Sequence, residues 1–227
     1  MAGDSFSVLV VTALSLGTLH TAIGVDHFAP FVVLARTRGW SCQKTLLITL
    51  ICGLGHIASS ILLAAVGLGL GVAGARLQWV DQTRGAWAAW MLVGFGVAYA
   101  GAALWKHHRQ MSHPSHDQQL LDGAPFSNSP RLTAALFLLF VVGPCEALLP
   151  LLTAGGIVLS FYQAAVVAGV FALATLFTML AMVALGYLGW GIIGRPLFGG
   201  ATSSHLAHTL AGLTLALSGL SIRVLGL

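Results

Sequence analysis

Two short runs of this chain combine helix breakers with side chains that can bind or carry charge. The first is His20-Thr21-Ala22-Ile23-Gly24-Val25-Asp26-His27-Phe28-Ala29-Pro30, and the second is Gly143-Pro144-Cys145-Glu146-Ala147-Leu148-Leu149-Pro150. Asp26 and Glu146 read as the only two acidic residues inside apolar stretches, each beside a metal-competent side chain, His27 or Cys145. A carboxylate in lipid is costly and marks a functional site. His20 and His27 are seven residues apart, which on a helix is two turns and one face. Asp26 points elsewhere on an ideal helix, and a break near Gly24 would turn it toward the same cavity. Imidazole with carboxylate suits divalent nickel, cobalt, zinc or iron. The alternative is that Asp26 neutralises a buried histidine, with the imidazoles acting as hydrogen-bonded glue between helices.

A second group follows in Cys52-Gly53-Leu54-Gly55-His56-Ile57-Ala58-Ser59-Ser60. Cys52 and His56 form an i, i+4 pair. His56 reads as a ligand near the membrane midplane, whereas Cys52 reads as inert packing. In the later run, Pro144 removes a backbone donor and frees local carbonyls, which lipid tolerates only beside protein or a cavity. Glu146 is a candidate ligand, proton carrier or helix cap, and Cys145 a candidate soft ligand. Thr175 and Thr178 are expected to bond back to their own helix. His107, His108, His113 and His116 form a His-rich tract, either weakly metal-binding or simply solvated. His205 and His208 are expected at the membrane interface.

The elements that must position these residues follow from hydropathy. The 227 residues are 57% hydrophobic and 7% charged, against about 25% charged in soluble domains. The chain is therefore expected to be an all-α integral membrane protein. A span needs about 20 apolar residues, and six candidates run at 7–34, 44–72, 86–105, 131–153, 163–190 and 205–225. Gly24 and Pro30 are expected to break the first, and Gly143, Pro144 and Pro150 the fourth. Residues 1–106 and 131–227 then form two three-helix halves joined by a polar, His-rich linker at 107–130. Three helices per half makes the halves inverted, a transporter arrangement; an offset of 119 residues superposes Gly24 on Gly143 and His27 on Glu146.

Basic residues set the expected orientation. Arg36, Arg38, Lys44, Lys106, Arg109, Arg131 and Arg195 fall on one side, and Arg76, Arg84 and Arg223 on the other. Both termini are thus expected outside a plasma (inner) membrane that the chain crosses repeatedly. Asp4 and the lack of a basic leader argue against a cleaved signal peptide. The net charge of +4 is scattered over short loops, so nucleic acid is not an expected partner. Cys42, Cys52 and Cys145 show no paired spacing. No phosphate-loop motif occurs, so ATP coupling would need a separate subunit and the chain is not expected to be an enzyme.

The run His20 to His27, followed by Gly53-Leu54-Gly55-His56, resembles the nickel/cobalt transporter group. Gly143-Pro144-Cys145 makes the resemblance nearer to its six-helix relatives, the urease-accessory-type membrane proteins. Five residues separate His20 from Asp26, one more than in the group's motif. The resemblance implies that divalent nickel or cobalt passes through a site built by His20, Asp26, His27 and His56, with Cys145 and Glu146 as a second-half site. Such a metal would be cargo, with no permanently bound cofactor. A transition-metal ion, the lipid bilayer and a metallochaperone are the partners implied. The Gly-Pro-Cys-x4-Pro stretch also resembles membrane thiol–disulfide electron carriers, the alternative reading. Export of a small anion or metabolite is a third.

Overall fold

The computed structural model describes residues 2–70, 74–112, 130–143, 147–153, 160–198 and 204–225, and every element among them is helical. Helix α1 spans Ala2–Ile23 and α2 spans Ala29–Arg38, separated by a 3-10 turn at Val25–His27. Then come α3 (Cys42–Gly69), α4 (Gly74–Ser112), α5 (Pro130–Val142), α6 (Leu148–Thr153), α7 (Phe161–Phe198) and α8 (Ser204–Leu225). Among the described residues, four stretches are long and apolar enough to cross a bilayer: Phe6–Ile23, Cys42–Gly67, Gly74–Trp105 and Phe161–Gly189. Their outward faces carry Val8, Val11, Leu62, Trp87, Leu104, Phe177 and Leu185, all exposed. Lipid is the solvent in which such faces carry no penalty, and helices satisfy their own backbone there. The described residues are all helical apart from short turns, and the chain is a membrane protein.

Local chemistry sets the helix ends. Gly39 closes α2 in the left-handed region (φ 63°) with its amide on the Ala35 carbonyl, a conformation glycine adopts without penalty. Ser41 caps α3 through its hydroxyl, which accepts from the Lys44 amide (3.3 Å). Ser160 and Gln163 exchange bonds at the start of α7: the Ser160 amide donates to Gln163 Oε1 (3.0 Å) and the Gln163 amide to Ser160 Oγ (3.3 Å). This capping box is a start signal legible in Ser160-Phe161-Tyr162-Gln163 that the apolar-run reading passed over.

Helix α1 packs on α7, α3 packs on both α5 and α7, α4 runs along α8, and α2 lies against α7 and α8. The α4–α8 contact is a backbone approach. A Cβ at Gly212 would lie 2.5 Å from the Ala100 nitrogen and 2.6 Å from the Gly96 oxygen; small residues permit this where lipid offers no hydrophobic drive. The main core gathers Phe31 and Leu34 of α2, Leu92 of α4, Leu136 and Phe140 of α5, Met179 of α7 and Leu215 of α8.

Several expectations need correction. The third span does not begin at residue 86, because α4 starts at Gly74 and carries Asp81 and Arg84 inside the apolar stretch. Arg84 is therefore not a loop charge, and Asp26 and Glu146 are not the only acids in apolar surroundings: Asp81 is 2% exposed. The helix likewise continues through His107 and His108 to Ser112. Pro30 is the second residue of α2 and Pro150 the third of α6. At those positions an amide has no helical acceptor, so each proline starts a helix after a break. Pro144, Cys145, Glu146, His113 and His116 lie outside the described residues, as does the side chain of His205.

Candidate functional site

The first break creates the site. Helix α1 ends with the Gly24 amide on the His20 carbonyl (2.9 Å), and the 3-10 turn follows with the His27 amide on the Gly24 carbonyl (3.1 Å). An unbroken helix would separate residues 20 and 27 by about 10 Å along its axis. The break folds them together, so that the two rings meet edge to face with centroids 5.0 Å apart. Their proximity therefore comes from the interruption, not from the shared helical face that the spacing predicts. Gly24 leaves room for this packing: a Cβ there would lie 2.5 Å from His27 Nδ1 and force the ring to shift.

His56 enters from α3, its ring centroid 5.6 Å from that of His27. His20, Asp26, His27 and His56 line one cavity, whose remaining walls include Gly85, Ala88 and Ala89 of α4 with Phe140 and Gly143 at the second break. The four first-half residues singled out by sequence are thus brought together. His27 and His56 are both 4% exposed, while Asp26 keeps a quarter of its side chain accessible.

The hydrogen bonds define how the imidazoles face the cavity. The Nδ1–H of His56 donates to the Phe140 carbonyl at 3.1 Å, because a carbonyl can only accept. That carbonyl is available because Pro144, four residues on, has no amide hydrogen to give it. A neutral His56 then presents Nε2 as a lone pair. This nitrogen is buried and has no hydrogen-bond partner, and the same holds for Nε2 of His20. His27 Nδ1 donates to the Asp26 carboxylate at 3.2 Å. A histidine whose far nitrogen bonds a carbonyl or carboxylate is the usual preparation of a metal ligand.

The donors do not close into a cage. Among the described residues, no group of three or more His, Cys, Asp or Glu is arranged so that it could hold one metal ion. Cooperation of all four side chains on one ion requires the rings to turn from this arrangement.

Other sequence candidates are dispersed. Cys52 is fully buried in the main core, with Phe31, Leu34 and Met179 in the same cluster. Thr175 does not bond back to its helix; its buried hydroxyl oxygen has no hydrogen-bond partner. His208 is tied to the Tyr99 hydroxyl at 2.9 Å. Sequence reasoning missed Asp81 and Arg84, whose signal was their i, i+3 spacing on the helical face that continues through Gly85 and Ala88. Comparison with known proteins finds no family model, no curated protein and no solved structure that matches the chain.

Proposed function

We propose that this protein is a membrane carrier for a divalent transition-metal ion, nickel or cobalt preferred, of the kind its motifs resemble. One observation carries the reading: His20 and His56 both have a buried Nε2 without a hydrogen-bond partner, and both line a cavity shared with Asp26 and His27. A buried ring nitrogen left without a partner is costly, and in His56, whose Nδ1 carries the hydrogen, that nitrogen is a lone pair. Two such nitrogens beside a carboxylate form a nitrogen-and-oxygen donor set suited to such an ion. The metal is cargo, received from water at the outer face and released within the cell.

The carrier reading includes six spans in two inverted halves, with α5 and α6 together as the fourth span and α8 as the sixth. Helix pairing supports it. The packing of α1 on α7 has its counterpart in α5 on α3, that of α2 on α8 in α6 on α4, and that of α2 on α7 in α6 on α3. These are the pairs that a two-fold exchange of halves interconverts, and transporters built this way bind cargo at the helix breaks. Cys145 and Glu146, between α5 and α6 in the sequence, are the second-half candidates for receiving the ion. Both termini outside a plasma membrane completes the reading. Cys52 is packed in the main core, and Cys42, at the start of α3, is not among the residues that line the cavity, which weighs against the thiol-carrier alternative with its need for a resolving thiol at the site.

The test is uptake of radioactive nickel and cobalt into proteoliposomes by wild type, Asp26→Asn, His56→Ala and Cys145→Ser at equal protein. The carrier reading expects uptake that the first two substitutions abolish and Cys145→Ser retains in part. Folded wild type that takes up neither metal sinks it, and loss confined to Cys145→Ser transfers the function to thiol chemistry.

A further inference from the structure

Arg84 sits within the apolar stretch of α4, and its guanidinium reaches three elements. Nη2 donates to Ser59 Oγ of α3 at 3.1 Å and to the Val141 carbonyl of α5 at 3.1 Å. Nη1 lies 3.5 Å from Asp81 Oδ1, one turn away on α4. Arg84 is not among the residues that line the cavity, although its neighbour Gly85 is.

Its partners are the supports of His56. Ser59 Oγ donates to the His56 carbonyl at 2.8 Å, so the Arg84 contact on α3 bears on the helical turn that carries the imidazole. Val141 follows Phe140, whose carbonyl accepts the His56 Nδ1–H. The last carbonyls of any helix lack intrahelical donors, and lipid supplies no water to replace them. At the end of α5 the Leu139 carbonyl takes the Gly143 amide at 3.0 Å, the Phe140 carbonyl takes His56, and the Val141 carbonyl takes Arg84. The cation also sits at the negative end of the α5 dipole. Asp81 balances its charge within the membrane, where an unpaired guanidinium would be costly.

We propose that Arg84 is a positioning residue for the cation site. It clamps α3 to the broken end of α5, which keeps the Phe140 carbonyl against His56 Nδ1 and the Nε2 lone pair turned into the cavity. Lysine is not equivalent, since the guanidinium meets Ser59 and Val141 from Nη2 while Nη1 stays by Asp81, whereas an ammonium must meet all three from one nitrogen on a flexible stem. The inference deepens the carrier reading and, for its link to transport, rests on it.

The experiment uses the full chain in lipid nanodiscs, labelled with 15N-histidine, without metal. The His56 resonances are assigned by their loss in His56→Gln. Wild type is expected to show His56 with its hydrogen on Nδ1 and a bare Nε2. In Arg84→Gln the preference for that tautomer should fall roughly fivefold, the worth of a typical hydrogen bond, and Arg84→Lys should fall nearly as far. Arg84→Gln leaves Asp81 buried without its counter-charge, so the double variant Arg84→Gln/Asp81→Asn is measured alongside. It restores charge balance, and it should still show the shifted tautomer. Nickel titration of the same samples should show affinity about 10- to 100-fold weaker in each Arg84 variant, as for other supports of a ligating histidine. An unchanged His56 tautomer in the double variant overturns the positioning role, whatever the metal data show. Wild type that binds no nickel but loses the tautomer in the variants upholds the positioning role and sinks the carrier reading instead.

Discussion

Alanine at position 24 should disable the cavity while leaving the helices standing. Gly24 has φ −68° and ψ 95°, negative-φ backbone that alanine can adopt, so the effect of Gly24→Ala comes from one methyl group. That Cβ would lie 2.5 Å from Nδ1 and 3.0 Å from Cε1 of His27, and 2.9 Å from the His20 carbonyl oxygen. An optimal contact is about 3.5 Å, so the His27 ring must retreat by about 1 Å. The backbone cannot yield easily, since the Gly24 amide is bonded to His20 and the Gly24 carbonyl to His27. The atom that must move is Nδ1, already 3.2 Å from Asp26 Oδ1, the long end of the normal range. A further 1 Å breaks that bond and releases the His27 ring. Loss of such a support lowers metal affinity about 10- to 100-fold, whereas the overpacking itself costs about 1–3 kcal/mol of stability. The assay is nickel affinity by calorimetry, with initial uptake rates in proteoliposomes, on Gly24→Ala, His27→Ala and the double variant. Deleting the ring removes the closest contact and leaves only the 2.9 Å approach to the His20 carbonyl, so the double variant should lose little beyond His27→Ala, a strongly non-additive cycle. Wild-type affinity in Gly24→Ala refutes the reasoning, as does a double variant whose losses simply multiply.

Gly212→Val should separate α4 from α8, because the atoms a Cβ would meet are backbone or Cβ of Gly96 and Ala100 and cannot rotate away. A loss of at least about 3 kcal/mol in detergent unfolding is expected, and a change near zero would contradict the close approach. Tyr99→Phe removes the hydroxyl that takes the Arg38 Nε–H at 3.0 Å and bonds His208 Nδ1 at 2.9 Å. It should cost about 1–3 kcal/mol with nickel affinity unchanged; a large affinity loss would tie that end of the bundle to the cavity. Cys52→Ala should transport at close to the wild-type rate, since the thiol is packed in the main core, and uptake at background would return the thiol reading to the front.

Several features of this protein were determined by sequence alone. Membrane residence, the interruption at Gly24 and the identity of His20, Asp26, His27 and His56 as a group follow from local facts. Apolar runs, a glycine and polar side chains in lipid carry their meaning wherever the chain folds. Tertiary structure decided what those residues do to one another. The approach of His20 to His27 depends on the direction the chain takes after Ile23, and no spacing rule for an intact helix contains it. The roles of Pro30 and Pro150 depended on where each helix begins. Asp81 and Arg84 were the least legible, because Gly74-Ala75-Arg76-Leu77-Gln78-Trp79-Val80-Asp81-Gln82-Thr83-Arg84 reads as a polar loop by hydropathy. Hydropathy sums a window and cannot tell polar groups in water from polar groups that satisfy one another inside a bundle. The partners that make the difference, Ser59 and Val141, lie 25 and 57 residues from Arg84 in the chain. Only packing brings them within hydrogen-bonding distance.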